Sequence, residues 1–286
     1  MSLKGIAKET LRISDEGRYV VAGVEVDISS AQQNAVSGTT VVTPDECAEL
    51  RERLRSNAGG HAASTAEVTV ANETTQAAAQ RFSADGKVTL LDFASAKNVA
   101  GGFLNGAKAQ EEDLARCSGL FRCLEAARAY YDANRACDSM LYTDHVVVSP
   151  DVPFFRVDGR RLLPSPFPAT VLTAPAPNAG QHRRKSADLD AAEREIADTL
   201  QRRVRNVVAI AASREAENLV LGAWGCGVFM NDPVDVARAF HTVLVEEGAA
   251  QLFRHVHFAV YDRAERGTCK AFIDVFAESR APSASP

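Results

Sequence analysis

KVTLLDFASAKNVAGGFLNGAKAQEEDLARCSGLF, residues 87–121, sets three kinds of segment in a row. Val88 to Phe93 is a short run of β-branched and bulky residues with the composition of a buried strand. Ala94 to Asn98 are small and polar, Gly101 and Gly102 make a glycine turn, and Gly106 follows. From Gln110 onward, Leu114, Cys117, Leu120 and Phe121 recur at helical spacing. Strand, glycine loop and helix in that order form a ligand-site layout. Glycine lets the backbone approach a ligand closely, and a helix N-terminus offers free N–H donors to phosphate. Glu111 and Glu112 fall in the first turn of that helix, where a site built only to hold anions would not place carboxylates. They point to chemistry on something attached to the phosphates.

Outward from this stretch, the chain alternates. Upstream, Leu3 to Ile13 predicts a short helix, Tyr19 to Ile28 a strand or hairpin around Gly23, and Val41-Val42 a short strand. Thr43-Pro44-Asp45-Glu46 starts a helix, with a capping threonine, proline in the first position and acids behind it; Asn57-Ala58-Gly59-Gly60 ends it. Residues 1–66 carry no chemical motif and read as an N-terminal extension packed on the main fold. Residues 67–280 are the expected core. It opens with a strand at Val68 to Ala71 and a helix through Phe82. After the quoted stretch come a helix from Leu120 to Asn134, a strand from Asp144 to Ser149 and a proline-rich run, Leu163 to Pro168. A strand at Ala169 to Thr173, a turn-rich loop from Pro175 to Gly180 and a charged helix from Ala187 to Asn206, followed by Val207 to Ile210, come next. Asn218 to Leu221 is a strand, Pro233 to Gly248 a helix and Val256 to Tyr261 the last strand; residues 281–286 read as a disordered tail. Such alternation argues for an α/β sheet covered on both faces, with ligands beyond the carboxyl ends of the strands.

A second glycine loop, Gly225-Cys226-Gly227-Val228-Phe229, follows the strand at Asn218 and leads through Asn231-Asp232-Pro233 into a helix. Gly225 and Gly227 free backbone N–H groups for phosphate oxygens, and the helix adds its positive end. G-x-G by itself is also an ordinary tight turn. The acids at Glu111 and Glu112 could likewise do no more than complement a helix dipole. As neighbours they point about 100° apart, so one shared role does not suit them. Neither loop reads G-x-G-x-x-G, which excludes a dinucleotide fingerprint.

Asn98-x-x-Gly101-Gly102-Phe103-Leu104-Asn105-Gly106-Ala107 followed by Gln110-Glu111-Glu112 resembles the signature of bacterial-type poly(ADP-ribose) glycohydrolases. In that family a macrodomain carries a Gly-Gly-Gly loop ahead of a Gln-Glu-Glu catalytic element. Here Ala100 replaces the first glycine and Val99 stands where proline is expected. Alanine does not take a positive φ comfortably, so the loop entrance is either shaped differently or has no need of glycine. The resemblance spans about Glu67 to Phe276. It implies an α/β fold, a three-layer α/β/α macrodomain sandwich with a mixed central sheet. It also implies hydrolysis of the ribose–ribose bonds of poly(ADP-ribose) to ADP-ribose, without cofactor or metal, as part of reversing ADP-ribosylation in the DNA damage response.

By the same resemblance Glu112 is the general acid and Glu111 positions ribose hydroxyls. Asn98 and Gln110 hold or line the ribose; alternatively Asn98 bonds its own backbone and Gln110 caps its helix. Ala100, Gly101 and Gly102 on one side and Gly225, Cys226, Gly227 and Val228 on the other surround the diphosphate, with Phe229 against the distal ribose. Pro175-Ala176-Pro177-Asn178 forms a rigid rim. For adenine the candidates are Asn72, Glu73 and Thr74 after the first core strand and Tyr261 with Asp262 after the last. A helix N-terminus favours an ionised carboxylate, whereas an acid needs its proton. Glu112 is therefore expected to be ionised in the free protein and to take up a proton when polymer binds. A non-catalytic ADP-ribose reader is the alternative, as is a mono-ADP-ribosyl hydrolase; a reader would keep both glycine loops without needing the glutamate pair.

The whole composition sets outer bounds. Net charge is −5 over 286 residues, so no global basic field recruits a nucleic-acid backbone. No apolar run has the length of a membrane span, and the N-terminus lacks the pattern of a signal peptide. The six cysteines form no C-x-x-C pair, which reads as buried reduced thiols in a cytoplasmic protein. The expected partners are poly(ADP-ribose), ADP-ribose and ADP-ribosylated proteins, met by a monomer. The six histidines show no metal-ligand spacing; His255-x-His257 is expected to straddle a strand with one ring in and one out. The basic run from Gln181 to Lys185 reads as a solvated loop.

Overall fold

The structure, a computed structural model, describes residues 1–57 and 67–278. The expected glycine stop after Asn57 and the expected tail at 281–286 lie outside the described residues. The chain opens with helix α1 (Leu3–Glu16), capped by the Ser2 hydroxyl, which accepts the Gly5 N–H at 3.1 Å, and closed by a left-handed Gly17. Strands β1 (Arg18–Val21) and β2 (Val24–Asp27) form a hairpin whose turn residues Ala22 and Gly23 have φ of 50° and 80°. Positive φ at both positions is what a two-residue hairpin requires. Helix α2 (Ser29–Ser37) has no counterpart in the sequence reading, because it buries little more than Gln32 and Ala35. Strand β3 (Thr40–Val42) leads to α3 (Pro44–Asn57). There Thr43 and Glu46 make a reciprocal capping box at 2.7 and 3.3 Å.

The rest of the chain supplies β4 (Glu67–Ala71), α4 (Thr75–Phe82), β5 (Val88–Phe93), α5 (Gln110–Cys117), α6 (Leu120–Ala126), α7 (Arg128–Ala136), β6 (Val146–Arg156) and β7 (Leu162–Ala174). It ends with α8 (Ala179–Lys185), α9 (Leu189–Ser213), β8 (Asn218–Leu221), α10 (Pro233–His241), β9 (His255–Ala259) and α11 (Thr268–Glu278). Seven strands pair in the order β3-β6-β7-β5-β8-β9-β4. From β7 to β4 all neighbours are parallel, and β6 and β3 are antiparallel additions. Successive residues feed opposite faces. Leu91, Leu219 and Leu221 join a core with α3, α9, α10 and α11, while Leu90 and Val220 join a second core with α1, α2 and α4 to α7. A strand buried on both faces has no polar side to show, which is why Val88 to Phe93 reads as a near-continuous apolar run. The result is the three-layer α/β/α sandwich with a mixed sheet. The N-terminal extension also belongs to that sheet, since β3 pairs with β6 at its edge.

Several boundaries differ from the sequence reading, each for a physical reason. Val207 to Ile210 continue α9, whose charged first half is half-exposed and whose apolar second half is buried. Leu163 to Pro168 lie within β7. There β7 has left β5 behind and pairs with β6 alone, leaving one side of the strand free of a sheet neighbour, the setting in which strands tolerate proline. The Leu120 helix breaks at Ala127, and the Gln181 run is helical as α8. His255 and His257, two apart on β9, share a face, and both rings pack on Phe82, at 5.5 and 5.4 Å; the expectation of one in and one out is corrected by the two-residue period of a strand. No described helix is long and apolar enough to cross a membrane.

Candidate active site

A cavity of about 1220 Å³ opens at the carboxyl edge of the parallel strands. Its walls are the segments after β4, β5, β8 and β9, the first turn of α5, and Leu3 of α1. The side chain of Gln110 ties β5 to α5. Its Oε1 accepts the Phe93 N–H at 2.9 Å, and its Nε2 donates to Leu91 O at 2.8 Å and Thr75 Oγ1 at 3.1 Å. Gln110 therefore borders the cavity with its polar atoms engaged, and it caps a strand instead of its own helix.

The next two residues reach different loop amides. Glu111 Oε2 accepts the Ser95 N–H and Glu112 Oε1 the Gly102 N–H, each at 2.8 Å. Each glutamate keeps a second oxygen, buried and without a partner among the described residues, and both line the cavity. Gly101 makes this approach possible. A Cβ there would lie 2.5 Å from Glu112 Oε1 and 2.9 Å from Glu111 Oε2, and its φ is 56°. A Cβ on Gly102 would lie 2.6 Å from that of Ala107. The Gly101 N–H donates to Asn98 O at 3.0 Å. The expectation that Gly101 and Gly102 cradle a diphosphate is thus corrected: Asn98 and Glu112 already engage their N–H groups.

Ala100 adopts the left-handed conformation, φ 49°, and its methyl group is fully buried in the apolar core beneath the loop. It does not line the cavity, so its place among the contact residues is corrected to a shaping role. The loop keeps a shape suited to glycine, and the alanine carries the strain. Asn98 is exposed at the cavity wall, and its side-chain amide makes no hydrogen bond among the described residues.

One participant escaped the sequence reading. Asp92, on β5, is fully buried; its Oδ2 accepts the Thr173 hydroxyl at 2.9 Å and its Oδ1 has no partner among the described residues. Burial, opposed by the Thr173 bond and reinforced by the charge of Glu112, lifts its pKa to about 7. Burial and then the charge of Asp92 lift Glu111 well above the usual carboxylate range, against the pull of the Ser95 N–H. Like charges that cannot all ionise together retain a proton between them. Asp92 sits inside an apolar strand, where an acid gives no periodic signal.

The loop after β8 is built differently. Trp224 is fully buried, and its indole N–H donates to Ala174 O at 3.1 Å. Asn231 pins the turn from inside by donating to Pro177 O at 2.9 Å and Gly225 O at 3.0 Å. A Cβ on Gly225 would lie 2.5 Å from Ala176 Cβ, whereas one on Gly227 would meet nothing within 4 Å. Among the described residues no acceptor meets the N–H groups of Gly227, Val228 or Phe229, and Val228 is 87% exposed. The positive end of α10 does not join them, because Asp232 caps it, accepting from Val234 and Asp235 at 2.8 and 3.3 Å. The ring of Phe229 lies 5.8 Å from that of Tyr142, at the cavity wall. Burial pushes the Cys226 thiol up to about 12, so it lines the loop as an inert side chain.

Of the adenine candidates, Thr74, Tyr261 and Asp262 line the cavity, and Tyr261 is 59% exposed there. Asn72 does not line it; it clips the loop after β9 through Asp262, with bonds of 3.2 and 2.9 Å. Glu73 turns away to Arg81 and His257. The rim from Pro175 to Asn178 is braced from behind by Arg203, which donates to Pro175 O at 2.9 Å. Among the described residues no three His, Cys, Asp or Glu side chains are placed to hold a metal ion.

Comparison with known proteins agrees with this geometry. The model of the microbial-type PARG catalytic domain, where PARG denotes poly(ADP-ribose) glycohydrolase, matches residues 7–157. The chain belongs to this family. Poly(ADP-ribose) glycohydrolase from Thermomonospora curvata is 42% identical, with a TM-score of 0.88 over 96% of this chain and 99% of that one. The same enzyme bound to the inhibitor ADP-HPD matches at 42% identity and a TM-score of 0.85, over 95% of this chain and 98% of that one. The Deinococcus radiodurans enzyme in complex with ADP-ribose matches at 43% identity and 0.81, over 90% and 100%. No curated protein matches. The match begins at residue 7, so it takes in most of α1 and of the extension together with the glycine loop after β5.

Proposed function

We propose that this chain hydrolyses the ribose–ribose O-glycosidic bonds of poly(ADP-ribose) and releases ADP-ribose, with Glu112 as general acid and base. The reaction is that of its family. The observation that carries the residue assignment is the buried glutamate pair, each member anchored by one loop amide with its second oxygen left for substrate. In this reading the N–H groups of Gly227, Val228 and Phe229 receive the diphosphate, Phe229 packs on the distal ribose, and Asn98 with Glu111 fixes the ribose hydroxyls at the scissile bond.

Glu112 gives its proton to the departing 2′ oxygen as the C1″–O bond breaks. The negative charge of the cluster stabilises the oxocarbenium-like centre, and the same carboxylate then takes the proton of the attacking water. The proton that Asp92 and Glu111 retain leaves Glu111 able to donate to a ribose hydroxyl as well as accept from one. The bound diphosphate adds further negative charge and favours a protonated acid at the bond. We propose that the polymer reaches the site attached to modified proteins and meets a monomer. The six free cysteines support a cytoplasmic setting.

The test is hydrolysis of purified poly(ADP-ribose) by wild type and by Glu112→Gln, with free ADP-ribose binding measured alongside. The variant is expected to lose at least about 10³-fold in turnover, the upper range for a general acid, while binding ADP-ribose normally. A variant as active as wild type would remove Glu112 from its role, and a wild type that binds without cleaving would make the chain a reader.

A further inference from the structure

Arg116 is 1% exposed and lies one helical turn beyond Glu112 on α5, at the cavity wall. Its guanidinium holds two things. Nε and Nη2 donate to Asp113 Oδ1 at 3.1 and 2.5 Å, which fixes the plane of the group, and Nη1 donates to Ala107 O at 2.7 Å. Ala107 in turn donates its N–H to Gly102 O at 3.1 Å, and the Gly102 N–H meets Glu112 Oε1 at 2.8 Å. Gly102, whose N–H anchors the acid, is therefore held at its own carbonyl, in the following peptide, by a chain of bonds that begins at Arg116. The base of that chain is fixed as well. Arg116 O accepts from Arg156 Nη1 at 2.9 Å and from the Thr10 hydroxyl at 3.1 Å, and Arg156 pairs with Glu9 at 2.6 Å. Gly106, in the same segment, rests on α1: a Cβ there would lie 3.2 Å from the Lys4 side chain.

We propose that Arg116 is a positioning residue for the acid: it sets where the Gly102 amide, and through it Glu112, stands relative to the scissile bond. The inference rests on the glycohydrolase reading of the site. The role needs no contact between Arg116 and substrate: three of its five N–H donors, one on each nitrogen, are directed at Asp113 and Ala107. A rigid planar fork spans two separated acceptors at once, and lysine, whose three donors radiate from one nitrogen, does not reproduce that reach.

The experiment compares wild type, Arg116→Ala and Arg116→Lys in three readouts: amide hydrogen exchange at Gly102, ADP-ribose affinity, and turnover of poly(ADP-ribose). In Arg116→Ala, exchange at Gly102 is expected to speed up at least about tenfold while β5 amides keep their protection. Turnover is expected to fall about 30-fold, the scale of a misplaced catalytic group, with ADP-ribose affinity held within about threefold. Arg116→Lys is expected to fall between, because its ammonium can still reach Ala107 O. If the alanine variant does not fold, the lysine variant carries the test, with faster Gly102 exchange and lower turnover than wild type. Unchanged Gly102 exchange in a folded variant overturns the proposal, as does a loss of affinity as large as the loss of turnover. The exchange readout needs no activity, so a wild type that cleaves nothing would overturn the glycohydrolase reading and leave the structural link to be judged by itself.

Discussion

The two glycine loops of the cleft look alike as sequence and are opposites as chemistry. In the loop after β5, the backbone donors of Ser95, Gly101 and Gly102 are bound within the protein, two of them by the glutamates. In the loop after β8, the donors of Gly227, Val228 and Phe229 have no acceptor among the described residues. The first loop is closed on its own carboxylates before any ligand arrives, and the second is open to one. Glycine serves the first by the volume it lacks, since a Cβ at 101 would strike both glutamates, and serves the second through donors left uncovered. Preorganised charge next to the reacting bond is where catalysis gains most, while a diphosphate needs little more than converging donors. Carboxylates in a glycine-rich loop, unexpected for an anion site, are accounted for by this division.

The sharpest way to break the comparison is to add one methyl group to each loop. Gly101→Ala forces a side chain to within contact distance of both glutamate oxygens at a left-handed φ, and is expected to reduce turnover by about 100-fold or more. Gly227→Ala adds a methyl group in open space and is expected to keep ADP-ribose affinity and turnover within about threefold. Equal losses from both substitutions, measured by polymer hydrolysis and calorimetry, would erase the distinction.

A second expected effect, of middle size, lies in pH dependence. Asp92 has a folded pKa raised to about 7, so the folded state holds a proton that the unfolded state gives up between about pH 4 and pH 7. The native state therefore binds more protons than the unfolded one in that window. Stability contributed by the protonated carboxyl is present at low pH and is lost as pH rises through about 7. Asp92→Asn removes this dependence, so the melting temperature of the variant relative to wild type is expected to rise from pH 5 to pH 8. A constant difference across that range would detach Asp92 from the buried charge cluster.

The smallest effect is expected at Ala100. Glycine there relieves about 1 kcal/mol of left-handed strain but gives up a buried methyl group and increases chain entropy in the unfolded state. Ala100→Gly is therefore expected to shift the melting temperature by no more than about 2 °C and to leave hydrolysis unchanged. A large change in rate would mean that the alanine tunes the loop instead of merely tolerating its shape.

Much of this arrangement is legible from residue order, because it is local. The apolar run at Val88, the glycines and the acids at the start of α5 are neighbours in sequence, and the family signature lies entirely within that span. What was not legible depends on distance or on partners. The first loop could not be told from a phosphate cradle, since the acceptors of its N–H groups come from side chains ten and sixteen residues further on. Asp92 looks like a lapse in an apolar strand until Glu111 and Glu112 are seen beside it. The cap at Asp232 blocks a helix end that Pro233 made look available. Arg116 reads as the basic residue closing a helix, and its bond to Ala107 spans a loop whose path the sequence does not state. In β7, the proline-rich run carries no strand signal of its own, and it is the absence of β5 beside that stretch that lets it join the strand.

Trp224 is the chain's single tryptophan, and it lies one residue before the open glycine loop, with its indole fixed to the end of β7. The protein thus contains one indole fluorophore, rigid at its own position and adjacent to the segment whose donors are left uncovered. Its emission reports on that loop without a label and without a background from any other tryptophan. A ligand that engages the uncovered donors can therefore be timed optically, separately from product formation.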